Sequence, residues 1–256
     1  MSVPLSVRQR TELLHLVFLR ALVAKGEDKG HIALKGGCNL RFFFGSVRYS
    51  EDVDLDVVVI AKETLRNKVE RLLRSPAVTA PLRAHGLSLV DVVAPKQTDT
   101  TQRWKVGLQL AGDSLPTRTK IEFSRRDNLG GSKYEAVERE VLRPYGLTPV
   151  LIAHYTTEAA VRQKVHALAA RTTPQARDVF DLSLLLARAD AAALTLDATA
   201  RSWVDHAIDN AMALSFDEYA AQVVAYLEPA HAELYSHRAA WEAMQDDVVS
   251  RLEALR

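Results

Sequence analysis

The chain has 256 residues, 48% of them hydrophobic and 25% charged, with 11 glycines, 9 prolines and a single cysteine. These values exclude collagen-like, disordered and disulfide-stapled chains, and fit a soluble globular protein with a sizeable core in one large or two small domains. The formal charge of +1 conceals an asymmetry: from Gln175 onward there are 6 basic and 14 acidic residues, against 27 and 18 before it, and a basic leading part is a mild pointer to phosphate-bearing ligands.

The predicted elements begin with a helix from about Ser6 to Ala24, where Leu13, Leu14, Val17, Ala21 and Leu22 recur near the helical period. Arg10, Glu12, His15 and Arg20 interrupt any apolar region a secretory signal would need. Next come a short apolar piece (His31 to Leu34), the Gly36-Gly37 pair and a short helix from Cys38 to Phe44. The unpaired Cys38 suits a reducing compartment. Val53 to Ile60 predicts a strand, since Val57-Val58-Val59-Ile60 is strongly β-forming. Lys62 to Arg74 predicts an exposed helix, and Leu87 to Val93, Arg103 to Leu110 and Arg118 to Phe123 predict three more strands. After about Pro149 alanine and leucine dominate, and helices are predicted at Glu158–Ala170, Gln175–Ala187, Ala198–Leu214, Phe216–Leu227 and Ala239–Leu255. Trp203, Trp241 and Phe216 fall in these patterns as core residues. No uncharged apolar run approaches the roughly 18 residues of a membrane span. A mixed sheet followed by helices gives an α/β (α+β) expectation, with residues 1–149 and 150–256 as two parts and a cytoplasmic location without a membrane partner.

The segment Arg48-Tyr49-Ser50-Glu51-Asp52-Val53-Asp54-Leu55-Asp56-Val57 carries the chemistry. Side chains alternate along a strand, so Asp52, Asp54 and Asp56 share one face and Val53, Leu55 and Val57 the other. Such carboxylates at the head of a buried strand call for a compensating cation, and Mg²⁺ suits oxygen ligands and substrate phosphates. A wet, acidic edge-strand face is the plainer alternative. Lys35-Gly36-Gly37 lies about fifteen residues upstream, where glycines and a helix N-terminus would let the backbone approach a phosphate. The eight histidines form no zinc-type cluster, and neither Ser50 nor Cys38 has the pattern of a nucleophile with its base.

Leu34-Lys35-Gly36-Gly37, Leu40-Arg41 and Arg48-Tyr49-Ser50-Glu51-Asp52-Val53-Asp54-Leu55 together resemble the AbiEii family of nucleotidyltransferase toxins, which includes the MenT toxins and shares the DNA polymerase β-like minimal nucleotidyltransferase fold. A second block, Glu158, Lys164 to Leu168, Arg171 and Ala176 to Leu182, is similar to that family's E…KxxAL…R…RDxxDL stretch. Lys120-Ile121-Glu122-Phe123 resembles the strand that delivers the fold's third carboxylate. The resemblance spans roughly Ile32 to Leu227. Departures are Gly-Gly in place of the superfamily's Gly-Ser, Cys38-Asn39 after it, and Gln163 where relatives often carry an acid.

The resemblance implies a polymerase β-like mixed sheet with a C-terminal helical bundle closing the cleft. It implies two Mg²⁺ ions on Asp52, Asp54 and Glu122, with Asp91 as the rival third carboxylate and Asp56 a weaker candidate. Lys164, helped by Arg48 and Arg177, would neutralise phosphate charge. Lys35, Gly36, Gly37 and Ser50 would hold the nucleotide, and Asp178 would orient Lys164 or meet the nucleotide. Asp181 is read as a helix-surface or packing residue. The implied reaction is transfer of a nucleoside monophosphate from an NTP to the 3′ end of tRNA with pyrophosphate release, blocking translation. The implied partners are that tRNA and a cognate antitoxin with a winged-helix DNA-binding region. Arg8, Arg10, Arg66, Lys68, Arg71, Arg125, Arg126 and Lys133 would contact tRNA phosphates. A small-molecule or protein acceptor, and a nucleotide-binding interaction protein with little turnover, stay open as rivals.

Overall fold

The computed structural model describes residues 5–26, 28–188 and 194–256. Two compact units emerge: Met1–Phe43 with Tyr49–His154, and Phe44–Arg48 with Tyr155–Arg256. The fold class is the expected α/β, a seven-stranded mixed sheet in one part of the chain and helices in the other.

The first unit opens with helix α1 (Val7–Val23), whose N-terminus is closed by a Ser6–Gln9 capping box that satisfies two backbone donors reciprocally. Strand β1 (Ile32–Lys35), helix α2 (Gly36–Phe43) and strand β2 (Val53–Val57) follow, then helices α3 (Lys62–Arg74) and α4 (Pro76–Ala84). Strands β3 (Leu87–Gln97), β4 (Thr101–Leu110), β5 (Thr117–Arg125) and β6 (Ser132–Ala136), the short helix α5 (Arg139–Leu142) and strand β7 (Leu151–Tyr155) complete it. The strand order is β3-β4-β5-β2-β1-β7-β6. β2 runs antiparallel to β1 and parallel to β5.

Alternation splits this sheet into two chemically different faces. Leu34, Val53, Leu55, Val57, Trp104, Val106, Ile121 and Phe123 are all fully buried, and α1 packs against β5 together with α3 and α4. Each such side chain contributes about 1.5–3 kcal/mol of transfer free energy. The opposite parity places Asp54, Asp56, Lys120, Glu122 and Arg103 on the other face.

Local details depart from the sequence expectation. The β-forming run does not continue to Ile60. The ladder stops after Val57 because its partner β1 begins at Ile32, opposite Val57. Val59 then turns at φ +65° and is 85% exposed, with the Ile60 N–H donating to the Val58 carbonyl at 2.6 Å. Partner availability, not propensity, ends the strand. β6, β7 and α4 were not predicted, and β7 lies where helical texture had been read.

The second unit contains α6 (Thr157–Ala170), α7 (Ala176–Leu186), α8 (Ala198–Arg201), α9 (Val204–Ala213), α10 (Phe216–Gln222), α11 (Pro229–Tyr235) and α12 (Arg238–Glu253). The helix expected over Ala198–Leu214 is broken at Ser202-Trp203, where the Ser202 hydroxyl donates back to the Thr199 carbonyl at 2.7 Å, a competitor of the helical ladder. α7 packs against α6, α10 and α12. Trp241 is core, stacked on Tyr219 at 4.6 Å between centroids, whereas Trp203 and Phe216 are half-buried. Residues 44–48 are pinned within this unit by a bridge between Arg48 and Leu227 and by the Glu228 N–H on the Val47 carbonyl. Among the described residues, no helix is long and apolar enough to cross a membrane.

Candidate active site

Four strands of the first unit carry one row of charges. Lys35 of β1 stands opposite Asp54 of β2, Asp54 beside Glu122 of β5, and Glu122 opposite Arg103 of β4. Neighbouring strands are about 4.8 Å apart, so two carboxylates are held side by side between two cations. Glu122 accepts from the Arg103 Nε at 2.5 Å. Asp52, in the bend just before β2, takes the Lys120 ammonium at 2.7 Å and the Lys120 backbone N–H at 3.0 Å. Asp54, in the middle, has no hydrogen bond or ion pair among the described residues. Burial pushes its carboxyl above the usual range; Lys35 opposes this, and the charges of Asp52 and Glu122 add to it.

The glycine turn is fitted to that carboxylate. Gly36 sits at φ +67°, and a Cβ there would lie 2.9 Å from the Asp54 Oδ2. A side chain at position 36 would therefore be strained and in collision at once. Lys35 itself reaches Asp56 at 2.6 Å, and Arg126 approaches the same oxygen at 3.3 Å. Asp56 is thus a buried, doubly paired residue.

The bend that aims Asp52 is fixed from three directions. The Ser50 hydroxyl and the Cys38 thiol both donate to the Asp52 carbonyl, at 2.9 and 3.2 Å. The Thr119 hydroxyl donates to the Glu51 carbonyl at 2.7 Å. Thr119 then accepts from His15 Nε2 at 2.8 Å, which assigns the proton to that nitrogen. Burial pushes the His15 imidazole down to about 3 and the Cys38 thiol well up, so both are neutral. Ser50, read from sequence as a phosphate donor, here braces the backbone.

Of the two candidates for third carboxylate, Glu122 adjoins Asp54, whereas Asp91 lies on the edge strand β3, more than half exposed and paired with Arg118 at 3.0 Å. An all-carboxylate set with an unpartnered, repelled member in its centre fits a divalent cation in its chemistry. The side chains are nevertheless turned to protein cations, and among the described residues no three His, Cys, Asp or Glu groups converge as a metal cage.

The second unit holds another charged cluster. Lys164 on α6 meets Asp178 Oδ1 at 2.8 Å and Asp181 Oδ2 at 2.5 Å. Asp178 and Asp181 stand three apart on α7 and so share a helix face; both are fully buried. Arg171 reaches Asp178 at 3.0 Å, and one Arg48 nitrogen spans both Asp181 oxygens at 3.1 and 3.2 Å. Burial pulls the Lys164 ammonium down, but Asp178 and Asp181 outweigh it and hold it above its ordinary value. Burial likewise pushes Asp181 up, yet Arg48 and Lys164 hold it below the usual carboxylate range. Arg177 is half-buried, one residue before Asp178.

Asp178 is thus paired with Lys164. Asp181 is corrected: it is no surface or packing residue but the shared anion of Arg48 and Lys164. Lys120 and Arg103 had not been singled out. Alternation alone places Lys120 with Glu122, but nothing local in the sequence pairs Arg103 with a residue nineteen positions away.

Residues 17–254 match the model of a family described as nucleotidyl transferase AbiEii toxin, type IV TA system. No curated protein matches the chain in sequence. Among solved structures, JHP933 from Helicobacter pylori superposes with a TM-score of 0.61 at 19% identity, covering 98% of this chain and 96% of that one. A putative nucleotidyltransferase from H. pylori gives 0.58 at 21%, covering 94% and 96%. MenT4, a nucleotidyltransferase toxin from Mycobacterium tuberculosis H37Rv, gives 0.55 at 19%, covering 96% and 84%. These likenesses are of fold.

Proposed function

The chain belongs to the AbiEii family of nucleotidyl transferase toxins of type IV toxin–antitoxin systems, and from that premise we propose that it transfers a nucleoside monophosphate from an NTP to the 3′ end of tRNA, releasing pyrophosphate and blocking translation. The observation that carries this reading is Asp54, unpartnered between Asp52 and Glu122 with its Oδ2 against the Gly36 backbone. That juxtaposition brings an acidic platform and a glycine turn into one place, as a triphosphate substrate requires.

Asp52, Asp54 and Glu122 would hold two Mg²⁺ ions, which supply activation of the attacking hydroxyl and charge neutralisation on the triphosphate. Gly36 and Gly37 offer backbone N–H groups at the start of α2 to phosphate oxygens, with Lys35 and Ser50 beside them. Lys164, fixed by Asp178 and Asp181, supplies a permanent positive charge for the phosphates, with Arg48 and Arg177 as helpers. The division of labour follows residues 1–149 as the nucleotidyltransferase core and 150–256 as the helical part. A cytoplasmic location and a cognate antitoxin with a winged-helix DNA-binding region complete the proposal.

The test is incubation with total tRNA, Mg²⁺ and each α-labelled NTP in turn, beside Asp52→Ala. Label in tRNA from one NTP, lost in the variant, supports the reading and names the donor. Label on protein or a small molecule moves the acceptor to another class. Nucleotide binding without any labelled product favours an interaction protein over an enzyme.

A further inference from the structure

The outer carboxylates of the acidic group are each closed by a cation from the same sheet face. Lys120 lies on Asp52 and Arg103 on Glu122, while Asp54 between them is left without one. Both cations are more exposed than their partners: Lys120 is 40% against 21% for Asp52, and Arg103 33% against 19% for Glu122. They are long, flexible side chains lying over short, fixed carboxylates. Lys35 makes no ion pair with Asp54 and offsets it only from a distance, since its ammonium is held on the buried Asp56 at 2.6 Å.

Resting on the proposed nucleotidyltransferase reading, we propose that Lys120 and Arg103 are exchangeable counter-ions, which occupy Asp52 and Glu122 while no divalent cation is bound and turn to the phosphates of the nucleotide once displaced. Charge balance gives the reason. Two cations reduce the formal charge of the three carboxylates from −3 to −1, which helps keep mutually repelling groups together in one sheet. Bringing divalent cations onto the row frees one ammonium and one guanidinium on the same face. Those two groups then need an anion, and a polyphosphate supplies one with the oxygens an arginine fork matches. Metal and nucleotide affinities are thereby coupled through the chain's own side chains. Arg103 and Lys120 are thus assigned to substrate binding, in addition to the residues that the family resemblance carries.

The test uses the 256-residue chain, with Mn²⁺ binding followed by electron paramagnetic resonance and binding of a non-hydrolysable α,β-methylene NTP analogue followed in the presence of Mn²⁺. Lys120→Gln and Arg103→Gln are compared with wild type and with Lys120→Arg, each first shown to unfold cooperatively. Removing a competing, half-exposed ion pair should tighten Mn²⁺ binding by roughly threefold to fivefold. Losing a charge-assisted contact to phosphate should weaken the analogue by about tenfold. Lys120→Arg should stay near wild type in both. These opposite signs separate exchange from a bracing role, which would weaken both affinities together. Unchanged or weakened Mn²⁺ binding in the Gln variants, or undiminished analogue binding, overturns the proposal while leaving the two-metal reading intact. Absence of Mn²⁺ binding in wild type itself overturns both.

Discussion

Asp54 illustrates how a single residue can be kept in an unfavourable state by its neighbours. Its carboxyl is raised by burial and by Asp52 and Glu122, with Lys35 only partly offsetting them. A folded-state pKa above the unfolded one means that the contribution to stability is greatest below the unfolded value and is lost as pH rises through the folded one. Asp54→Asn should therefore raise the melting midpoint of the metal-free protein at neutral pH by roughly 2–4 °C, the scale of about 1 kcal/mol in a chain of this size. The gain should fade as the pH falls below the carboxylate range, while nucleotide transfer is abolished. Differential scanning calorimetry across pH in the presence of a chelator checks the first part, and a variant no more stable than wild type at pH 7 refutes it.

At the scale of elements, the α6–α7 pair depends on its ionic cluster. Removing the charge of Asp181 takes a buried anion from Arg48 and leaves Lys164 with Asp178 alone, and breaking a buried pair in this way costs about 3–5 kcal/mol. Asp181→Asn should lower the denaturation midpoint accordingly. The pH limits follow from the two shifts. Asp181, held low, contributes above its unfolded pKa and is lost as pH falls through the folded one; Lys164, held high, contributes below its unfolded pKa and is lost as pH rises through the folded one. Urea titrations should show wild type and variant converging at acid pH, and a gap that narrows without closing at alkaline pH, where Arg48 stays charged beside Asp181; a constant gap would contradict this account. Sequence made the helices of this pair legible, because Lys164, Asp178 and Asp181 sit at helical spacings in strongly periodic segments. It gave no sight of Asp181's role, since three charges on two helices acquire partners only through packing. The sheet was legible by alternation and illegible by register: alternation groups Asp52 with Asp54, but the pairing of Asp52 with Lys120 and of Glu122 with Arg103 is a cross-strand fact. Val58 to Ile60 misled because propensity cannot know where a neighbouring strand begins.

On the scale of the whole molecule, neither compact unit is one continuous stretch of chain. Residues 44–48 belong to the helical unit although the sheet surrounds them in sequence. Expressed alone, residues 155–256 would lack Arg48 and leave Asp181 with Lys164 as its cation. Such a fragment should be cleaved by a nonspecific protease at least tenfold faster than the same unit in the full chain, by the loss of a buried charge pair. Equal resistance of the two would show that residues 44–48 contribute nothing to it.

Arg48 and Asp181 lie 133 residues apart in sequence. A ribosome delivers the first long before the second, and the ordered environment of Lys164 cannot assemble until Asp181 has been made. Closing so long a loop is also a slow, late event in folding. The sheet and its carboxylates therefore leave the ribosome first, and the charge cluster of the helical unit closes only once Asp181 has followed.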